Sequence, residues 1–392
     1  MDRSFLNVGI LFGGKSTEHE VSVITGVQVL NGIDKYKYNI LPIYVSKEGK
    51  WYTSQKFYDI KTFKDINSIP KYSREVFLPP ILGESKLTVL SNSFFGRDEN
   101  MRVDVFFPCF HGGLGECGGF QGLFEISEFP YVGSEILSSA VGMDKILMKD
   151  VFKANNIPTS PHYWFYREYW KKNKKKVLNN IEEKFEYPVF VKPSNSGSSI
   201  GVAKVSNKES LENCIDVACA FDGRVIVEKG ILDAREINVS VLGNSGGKLL
   251  VSECEEVFSG GDFLSYEDKY VRGGKESKGM ASAKRIVPAG ISAEEKIAAQ
   301  RLAKEVFSVL NCCGLARIDF LIKGRDIYVL EINTIPGSLS FYLWEATGLK
   351  FKDVLDKLIQ LAIERYKYRM SNVCIFPPNI LQDFNVGIKG KA

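Results

Sequence analysis

The chain has 392 residues, 44% of them hydrophobic and 25% charged, enough for a large buried core divided over two or three domains. With 51 basic against 47 acidic residues the net charge is +4, too even a balance for a nucleic-acid partner, and no apolar run approaches the ~20 residues of a membrane span. Eight cysteines without a C-x-x-C pair, most in apolar segments such as those of Cys109, Cys214 and Cys312, read as reduced thiols of a cytoplasmic protein, and three histidines argue against Cys/His zinc chemistry.

The N-terminus shows no secretory apolar region and passes directly into the first predicted element, a buried strand over "NVGILF". That strand overlaps a literal phosphate-loop pattern, with Gly9, Gly14, Lys15 and Ser16 on the fixed positions of G-x-x-x-x-G-K-[ST]. The context contradicts the pattern. Gly9 falls inside the strand, only "GGKST" remains as loop, and the helix that follows carries Glu18 and Glu20 in its first turn. A carboxylate there repels a phosphate and suits a cation such as an ammonium. Strands over "YNILPIYVS" and "VDVFFPCF", the second running into "HGGLGECGGFQGLFEIS", continue a strand–helix alternation that predicts a mainly parallel sheet in an α/β fold. Between Lys47 and Arg102 the pattern breaks into polar and aromatic pieces with Pro70, Pro79 and Pro80, which predicts an insertion on the sheet edge.

A helix through "DKILMKDVFKANN" leads to a second unit, built from "YPVFVKP", "GVAKVS", a helix after Lys208 and "RVIVEKG". The basic run "KKNKKK", 171–176, reads as a solvated helix face or connector. The third unit starts near "REINVSVLG" and holds an irregular loop, a helix from Ala293 to Val309, two strands near Arg317 and Tyr328, and a last helix over 352–369. The expected divisions are 1–140, 141–228 and 229–370, with a tail over 371–392 that carries no clear pattern.

The densest chemistry lies in "LARIDFLIKGRDIYVLEINTIPGS", whose two apolar runs flank "KGRD" as a β-hairpin. With Gly324, Arg325 and Asp326 as a three-residue loop, Lys323 pairs with Ile327, and counting outward sets Asp319 opposite Glu331 and Arg317 opposite Asn333. All four share one face, while Ile318, Phe320, Ile322, Tyr328, Leu330 and Ile332 form an apolar face suited to a core. Facing carboxylates destabilise a ladder unless a cation lies between them, and Asp319, Glu331 and Asn333 supply the hard oxygens that magnesium takes. A solvated hairpin with Arg317 as a local ion pair is the plainer alternative. A second signal is "FVKPSNSGSSIGVAKV", a hairpin of hydroxyls and glycines able to fold over phosphates, with Lys192 as a point charge.

In order along the chain, "FGGKSTEHEVS", "HGGLGECGGFQG", "YVGSEILSSAVGMDK", "VKPSNSGSSIGVAKV", "RIDF" and "EINTIPG" resemble the ATP-grasp enzymes, most closely the D-alanine–D-alanine ligases, over about residues 5 to 365. The resemblance implies a three-domain ATP-grasp fold, α/β with α+β parts, in which an N-terminal parallel-sheet domain precedes two domains that sandwich ATP. It implies that the N-terminal loop serves an amino acid rather than the nucleotide. Lys145 and Lys192 would contact ATP phosphates under the loop from Ser194 to Gly201, which includes Ser199. Glu228 would accept from the adenine amino group, with the backbone of Lys229 and Ile231 beside the base, and Glu236 would hold the ribose across a spacing one residue longer than usual. Asp319, Glu331 and Asn333 match the magnesium ligands of the family, which uses two ions and accepts manganese. Glu18 would bind the first substrate's ammonium, linked to Ser198 and Tyr270, with His111 at the border of that subsite. Lys269 joins the nucleotide-binding set, and Lys269 with Tyr270 marks the dipeptide-forming type of loop. Arg317 and the backbone N–H of Gly337 would face the oxyanion. The resemblance also implies a homodimer.

The implied reaction joins two D-alanines through an acyl phosphate for peptidoglycan precursor synthesis. An ATP-grasp carboxylate–amine ligase with a different second amino acid is the alternative, and a non-catalytic nucleotide-binding protein on the same fold is a third reading. Two departures bear on the choice. The family's "HGxxGEDG" reads "HGGLGECGG" here, with Cys117 in place of an acid, and the loop after Gly337 is about four residues shorter than in most ligases. That loop would deliver the serine for the second substrate's carboxylate, for which Ser340, or else Ser338, is the candidate.

Overall fold

The computed structural model describes residues 5–83, 86–91, 97–258 and 284–374. A strand covered on both faces needs an unbroken apolar run, and β1 (Leu6–Gly13) is one: Val8, Ile10, Leu11 and Phe12 are fully buried, with Gly9 inside the strand. α1 (His19–Gly32) returns the chain to β2 (Tyr38–Val45), which pairs parallel with β1. Only a tight turn separates β2 from β3 (Trp51–Thr53), far too short for a crossover, so the pairing becomes antiparallel. Short 3₁₀ turns over 55–71 lead to β4 (Arg74–Phe77), β5 (Lys86–Val89) and β6 (Glu99–Arg102), each antiparallel to its predecessor, and β7 (Val105–Pro108) joins the other side of β1 in parallel. The sheet order is β6-β5-β4-β3-β2-β1-β7. The expected parallel part is therefore β7-β1-β2, and the stretch 47–102 is an antiparallel extension of its edge.

Four helices follow: α2 (Gly113–Glu116), α3 (Gly119–Ile126), α4 (Ile136–Met143) and α5 (Lys145–Ala154). The second sheet takes β8 (His162–Tyr166), β9 (Val189–Pro193), β10 (Ala203–Val205) and β11 (Arg224–Lys229) in the order β10-β9-β11-β8. α6 (Arg167–Lys184) and α7 (Lys208–Phe221) cover one face, with Trp170, Val177, Ile181, Leu211 and Ile215 in one core with Val191 and Val225. The run 171–176 lies on α6, where Lys171, Lys172, Lys175 and Lys176 are exposed, as a solvated face requires.

The third sheet is antiparallel throughout, with the order β14-β13-β12-β15-β16. It comprises β12 (Arg235–Asn244), β13 (Leu250–Phe258), β14 (Lys284–Ile286), β15 (Cys313–Lys323) and β16 (Asp326–Asn333). α8 (Ala293–Val309) begins with a capping box, in which Ser292 Oγ accepts from the Glu295 N–H and the Glu295 carboxylate accepts from the Ser292 N–H. Its Ala299, Ala303, Val306 and Phe307 pack with Ile237, Val239, Ile318 and Phe320, and Met148 and Phe152 of α5 enter the same core. After α9 (Phe341–Ala346), the long α10 (Phe351–Met370) places Val354, Leu355, Leu358 and Ile359 in one cluster with Val8, Val27 and Leu30 of the first sheet's side and Leu242 and Leu315 of the third. The contact is close: a Cβ on Gly32 would come within 2.6 Å of the Phe351 ring. Among the described residues no helix is long and apolar enough to cross a membrane.

Candidate active site

Glu18 sits at the residue before α1, half-buried, and Ser198 Oγ donates a hydrogen bond to its Oε1 across 180 positions of sequence. The chain around Ser198 is shaped for that approach. A Cβ at Gly197 would lie 2.3 Å from Glu18 Oε2, so a larger residue there would displace the Glu18 carboxylate, and Ser198 and Ser199 hold φ of 49° and 60°. Non-glycine residues in this left-handed region cost about 1–3 kcal/mol each and collect at ligand clamps. Burial raises the Glu18 carboxyl above its ordinary range, opposed by the Ser198 hydrogen bond.

The same loop meets α5. Asp144 caps that helix, its Oδ1 accepting from the N–H groups of Ile146 and Leu147 at 3.1 Å each, and it also takes the Ser194 hydroxyl and the Arg224 guanidinium. So anchored, Lys145 donates its ammonium to the Ser196 carbonyl and lies 3.8 Å from Glu331.

The hairpin of β15 and β16 pairs Asp319 with Glu331 and Arg317 with Asn333, as counted from the sequence, but by a different route. Lys323 pairs with Asp326 rather than Ile327, leaving a two-residue turn, and a bulge at Leu330 restores the register before Glu331. Two deviations cancel. The core face changes with them: Val329, fully buried, takes the place expected of Tyr328 and Leu330, which are half-buried. Arg317 grips Asp319 with a two-pronged ion pair, Nε to Oδ1 at 2.6 Å and Nη2 to Oδ2 at 2.7 Å, and Asn333 Nδ2 donates to Asp319 Oδ2 at 3.1 Å. Burial pushes Asp319 upward against the pull of Arg317, with Glu331 adding to the rise. The donor set fits a divalent cation: two carboxylates face each other across the ladder, and Asn333 spends its amide nitrogen on Asp319, which leaves its oxygen as a ligand.

A third cluster lies inside the second sheet. Glu228 Oε2 receives the Lys192 ammonium at 3.0 Å and the Ser160 hydroxyl at 2.9 Å, with Lys149 at 3.5 Å. Burial alone would raise this carboxyl, but Lys149 and Lys192 bring it down to about 2. Its other oxygen, Oε1, is buried and has no hydrogen-bond partner among the described residues. An unpaired buried acceptor of this kind fits a ligand donor such as a base amino group.

One cavity of about 270 Å³ gathers Glu18, His111, Lys145, Ser198, Ser199, Glu236, Arg317, Asp319, Glu331, Asn333 and Gly337. Lys192, Glu228, Lys229 and Ile231 stand outside its wall, with the Lys229 N–H donated to the Pro161 carbonyl. Lys269 and Tyr270 lie outside the described residues. Ser340 is not in the wall: it is fully buried, its hydroxyl unpaired among the described residues, at the end of a 3₁₀ turn, Gly337–Ser340, in which Ser338, Leu339 and Ser340 all have φ near 50°. This turn directs the serine inward. The Ser338 N–H is taken by Thr25 Oγ1, which also shares a 2.8 Å hydrogen bond with His111 Nε2. A larger open groove of about 800 Å³, walled by Asp150, His162 and Trp164 among others, contains none of the expected residues that are described.

The cavity also holds residues that the motifs did not single out. Glu116, beside Cys117, accepts from the N–H groups of Gly112 and Ile335, and burial with Glu18 nearby pushes its carboxyl up to about 7. It stands in the quoted "HGGLGECGG", so the glycine-rich segment carried the signal. Glu255, fully buried, accepts from Tyr342 and Asn238 and lies 3.5 Å from Arg285. Nothing in its own segment, "VSECEEVF", marks which of its acids turns inward.

Two antiparallel sheets contribute a glycine–serine loop and a carboxylate hairpin to one cleft, beside a sheet unit that brings an acid to its edge; this arrangement is that of an ATP-grasp enzyme. Family models described as "D-ala D-ala ligase N-terminus" and "D-ala D-ala ligase C-terminus" match residues 7–134 and 151–360. The D-alanine–D-alanine ligase of Thermosipho melanesiensis is 40% identical over 364 residues, 92% of this chain and 95% of that one. Among solved structures, the VanG D-Ala:D-Ser ligase from Enterococcus faecalis superposes with a TM-score of 0.78 at 31% identity, covering 92% of this chain and all of that one. The D-alanine-D-alanine ligase from Coxiella burnetii gives 0.77 at 29% identity, with 93% and 96% coverage. The chain belongs to the D-alanine–D-alanine ligase family.

Proposed function

We propose that this site carries out the family's reaction, the ATP-dependent joining of two D-alanines to D-alanyl-D-alanine with release of ADP and phosphate, for peptidoglycan precursor synthesis. The observation that carries it is the convergence of the Glu18–Ser198 pair, Lys145 and the Arg317–Asp319–Glu331–Asn333 hairpin on one cavity. Glu18, oriented by Ser198, receives the first substrate's ammonium. Burial holds His111 neutral, with its pKa down to about 4, at the edge of that subsite. Lys145, Lys192 and the loop with Ser199 neutralise the phosphates, while Glu228, the backbone of Lys229 and Ile231, and Glu236 hold base and ribose. Asp319, Glu331 and Asn333 would hold magnesium, which when bound would supply charge neutralisation at the phosphates.

A substrate carboxylate oxygen then takes the γ-phosphoryl group, ADP leaves, and the amine of the second amino acid attacks the acyl phosphate and expels phosphate. No protein nucleophile is required. With Nε and Nη2 of Arg317 engaged by Asp319, its Nη1 donors and the Gly337 N–H are assigned to the oxyanion. Lys269 and Tyr270 complete the nucleotide and ammonium subsites in this reading. Two metal ions, manganese as a substitute, and a homodimer belong to it as well; metal titration of turnover and sedimentation equilibrium check them.

The inward-turned Ser340 favours a second reading, a ligase of the same family that accepts a different second amino acid. The test is ADP release with magnesium and a panel of D- and L-amino acids, with mass detection of the product. Release with D-alanine alone supports the first reading, release only on adding another amine supports the second, and no release under any pairing rejects both.

A further inference from the structure

Lys149 is a fully buried lysine on α5 that none of the steps above uses. Its ammonium donates to Thr159 Oγ1 at 2.9 Å and to Ser160 Oγ at 3.1 Å, and stands 3.5 Å from Glu228 Oε2. Ser160 passes the contact on by donating its own hydroxyl to the same carboxylate oxygen. Thr159 in turn donates to the Val329 carbonyl at 2.9 Å, and the Val329 N–H donates to Pro158 at 2.8 Å, just before the bulge that sets Glu331. Burial pushes Lys149 down to about 8 even beside a carboxylate, so placing a charge there is costly.

Two lysines attend one carboxylate, at different depths. The Lys149 side chain has no exposed surface, whereas that of Lys192 is 10% exposed. If Lys192 alone neutralised Glu228, its ammonium could not turn to a phosphate without leaving a buried carboxylate unpaired, which would then take up a proton. We propose that Lys149 is the standing counter-ion of Glu228, keeping it an acceptor-only carboxylate while Lys192 serves the nucleotide phosphates, and is thereby a positioning residue for selection of an amino-bearing base. Ser160 fixes which oxygen is occupied, so the unpaired Oε1 is the one presented. The inference rests on the nucleotide role given above to Glu228 and Lys192.

The test compares ATP with inosine triphosphate, in which a keto oxygen replaces the amino group, by steady-state kinetics with magnesium and D-alanine. Lys149→Gln, which keeps hydrogen-bonding capacity but no charge, is expected to lower the ATP-over-inosine preference in kcat/KM by about tenfold or more, because a protonated Glu228 can donate to the keto group. Its KM for D-alanine should stay within about twofold of the unmodified enzyme, since a buried charge acts mainly on what it touches. An unchanged preference in a folded Lys149→Gln overturns the counter-ion role. Glu228→Gln separates the two layers. If that variant leaves the preference intact, the base-reading role of Glu228 is wrong; if it collapses the preference while folded Lys149→Gln does not, only the inference about Lys149 falls. Should Lys149→Gln fail to fold, the double variant with Glu228→Gln is expected to recover folding, because the carboxylate that lost its standing counter-ion is gone and Lys192, whose side chain is 10% exposed, can turn its ammonium to solvent. A double variant as unstable as the single overturns the pairing.

Discussion

Lys15 and Lys192 both border glycine-rich runs, yet their surroundings give them opposite prospects. Lys15 is exposed at a strand-to-helix turn, whereas Lys192 is 8% exposed at the end of β9 beside Glu228. Lys15→Ala should leave ATP affinity within about twofold of normal, while Lys192→Ala should weaken it about tenfold or more, as loss of a charge-assisted phosphate contact does. Calorimetric titration with a non-hydrolysable ATP analogue decides it, and the reverse order would return the nucleotide to the first loop. Glu331→Gln should cut ligation at least about 10²-fold with little change in melting temperature, because the side chain is one-third exposed and carries function rather than packing. Near-normal turnover at saturating magnesium would remove Glu331 from the metal set. Arg317→Ala is a harsher change than its chemistry alone implies, since it leaves Asp319 buried without its cationic partner, at a cost of about 3–5 kcal/mol. Glu116 carries a pH signature. Its folded pKa of about 7 lies above the ordinary 4.5, so its contribution to stability is complete below the ordinary value and lost as pH rises through about 7. Denaturant melts across that window should show a loss of up to ~3 kcal/mol that Glu116→Gln flattens; an unchanged slope in the variant would mean that Glu116 titrates normally.

At the level of single elements, α5 shows how a cap becomes part of a site. Asp144 satisfies the first turn, pairs with Arg224 and binds Ser194, and the next residue is Lys145. Asp144→Ala should cost about 1–2 kcal/mol for the cap alone, and should raise the KM for ATP as Lys145 loses its anchor. A destabilised variant with an unaltered KM would show that Lys145 is placed by other contacts. The hairpin shows what periodicity can and cannot reveal. Alternation of polar and apolar residues identified the face that carries Arg317, Asp319, Glu331 and Asn333, because one buried face leaves little choice. The turn and the bulge were not legible, since a two-residue turn with one bulge consumes as many residues as a three-residue turn without one. α8 spans Ala293–Val309 as read from the sequence, and the Ser292–Glu295 capping box fixes its start. The inward rotation of Ser340 left no trace in the sequence, because it depends on three successive left-handed residues that glycine does not announce.

Across the whole molecule, the motifs named the parts of the site, but not how three sheets bring them together. The Glu18–Ser198 hydrogen bond joins the first sheet's helix to the loop proposed to cover the phosphates. Nucleotide and first amino acid should therefore bind cooperatively, with a magnesium–nucleotide analogue raising D-alanine affinity by about fivefold or more, within the usual span of such couplings. Ser198→Ala should abolish the enhancement while leaving a folded protein, and a persistent enhancement would place the coupling elsewhere. α10 has a different consequence, one that concerns synthesis. Its Leu355, Leu358 and Ile359 complete the cluster that begins with Val8 and Val27, so a nascent chain carries an uncovered apolar face from its first strand until nearly the last described helix leaves the ribosome. Each such leucine is worth about 1.5–3 kcal/mol on burial. A product that stops short of residue 351 would have every residue of the cavity and still lack the lid on its first core, which makes late truncation a route to aggregation rather than to a slower enzyme.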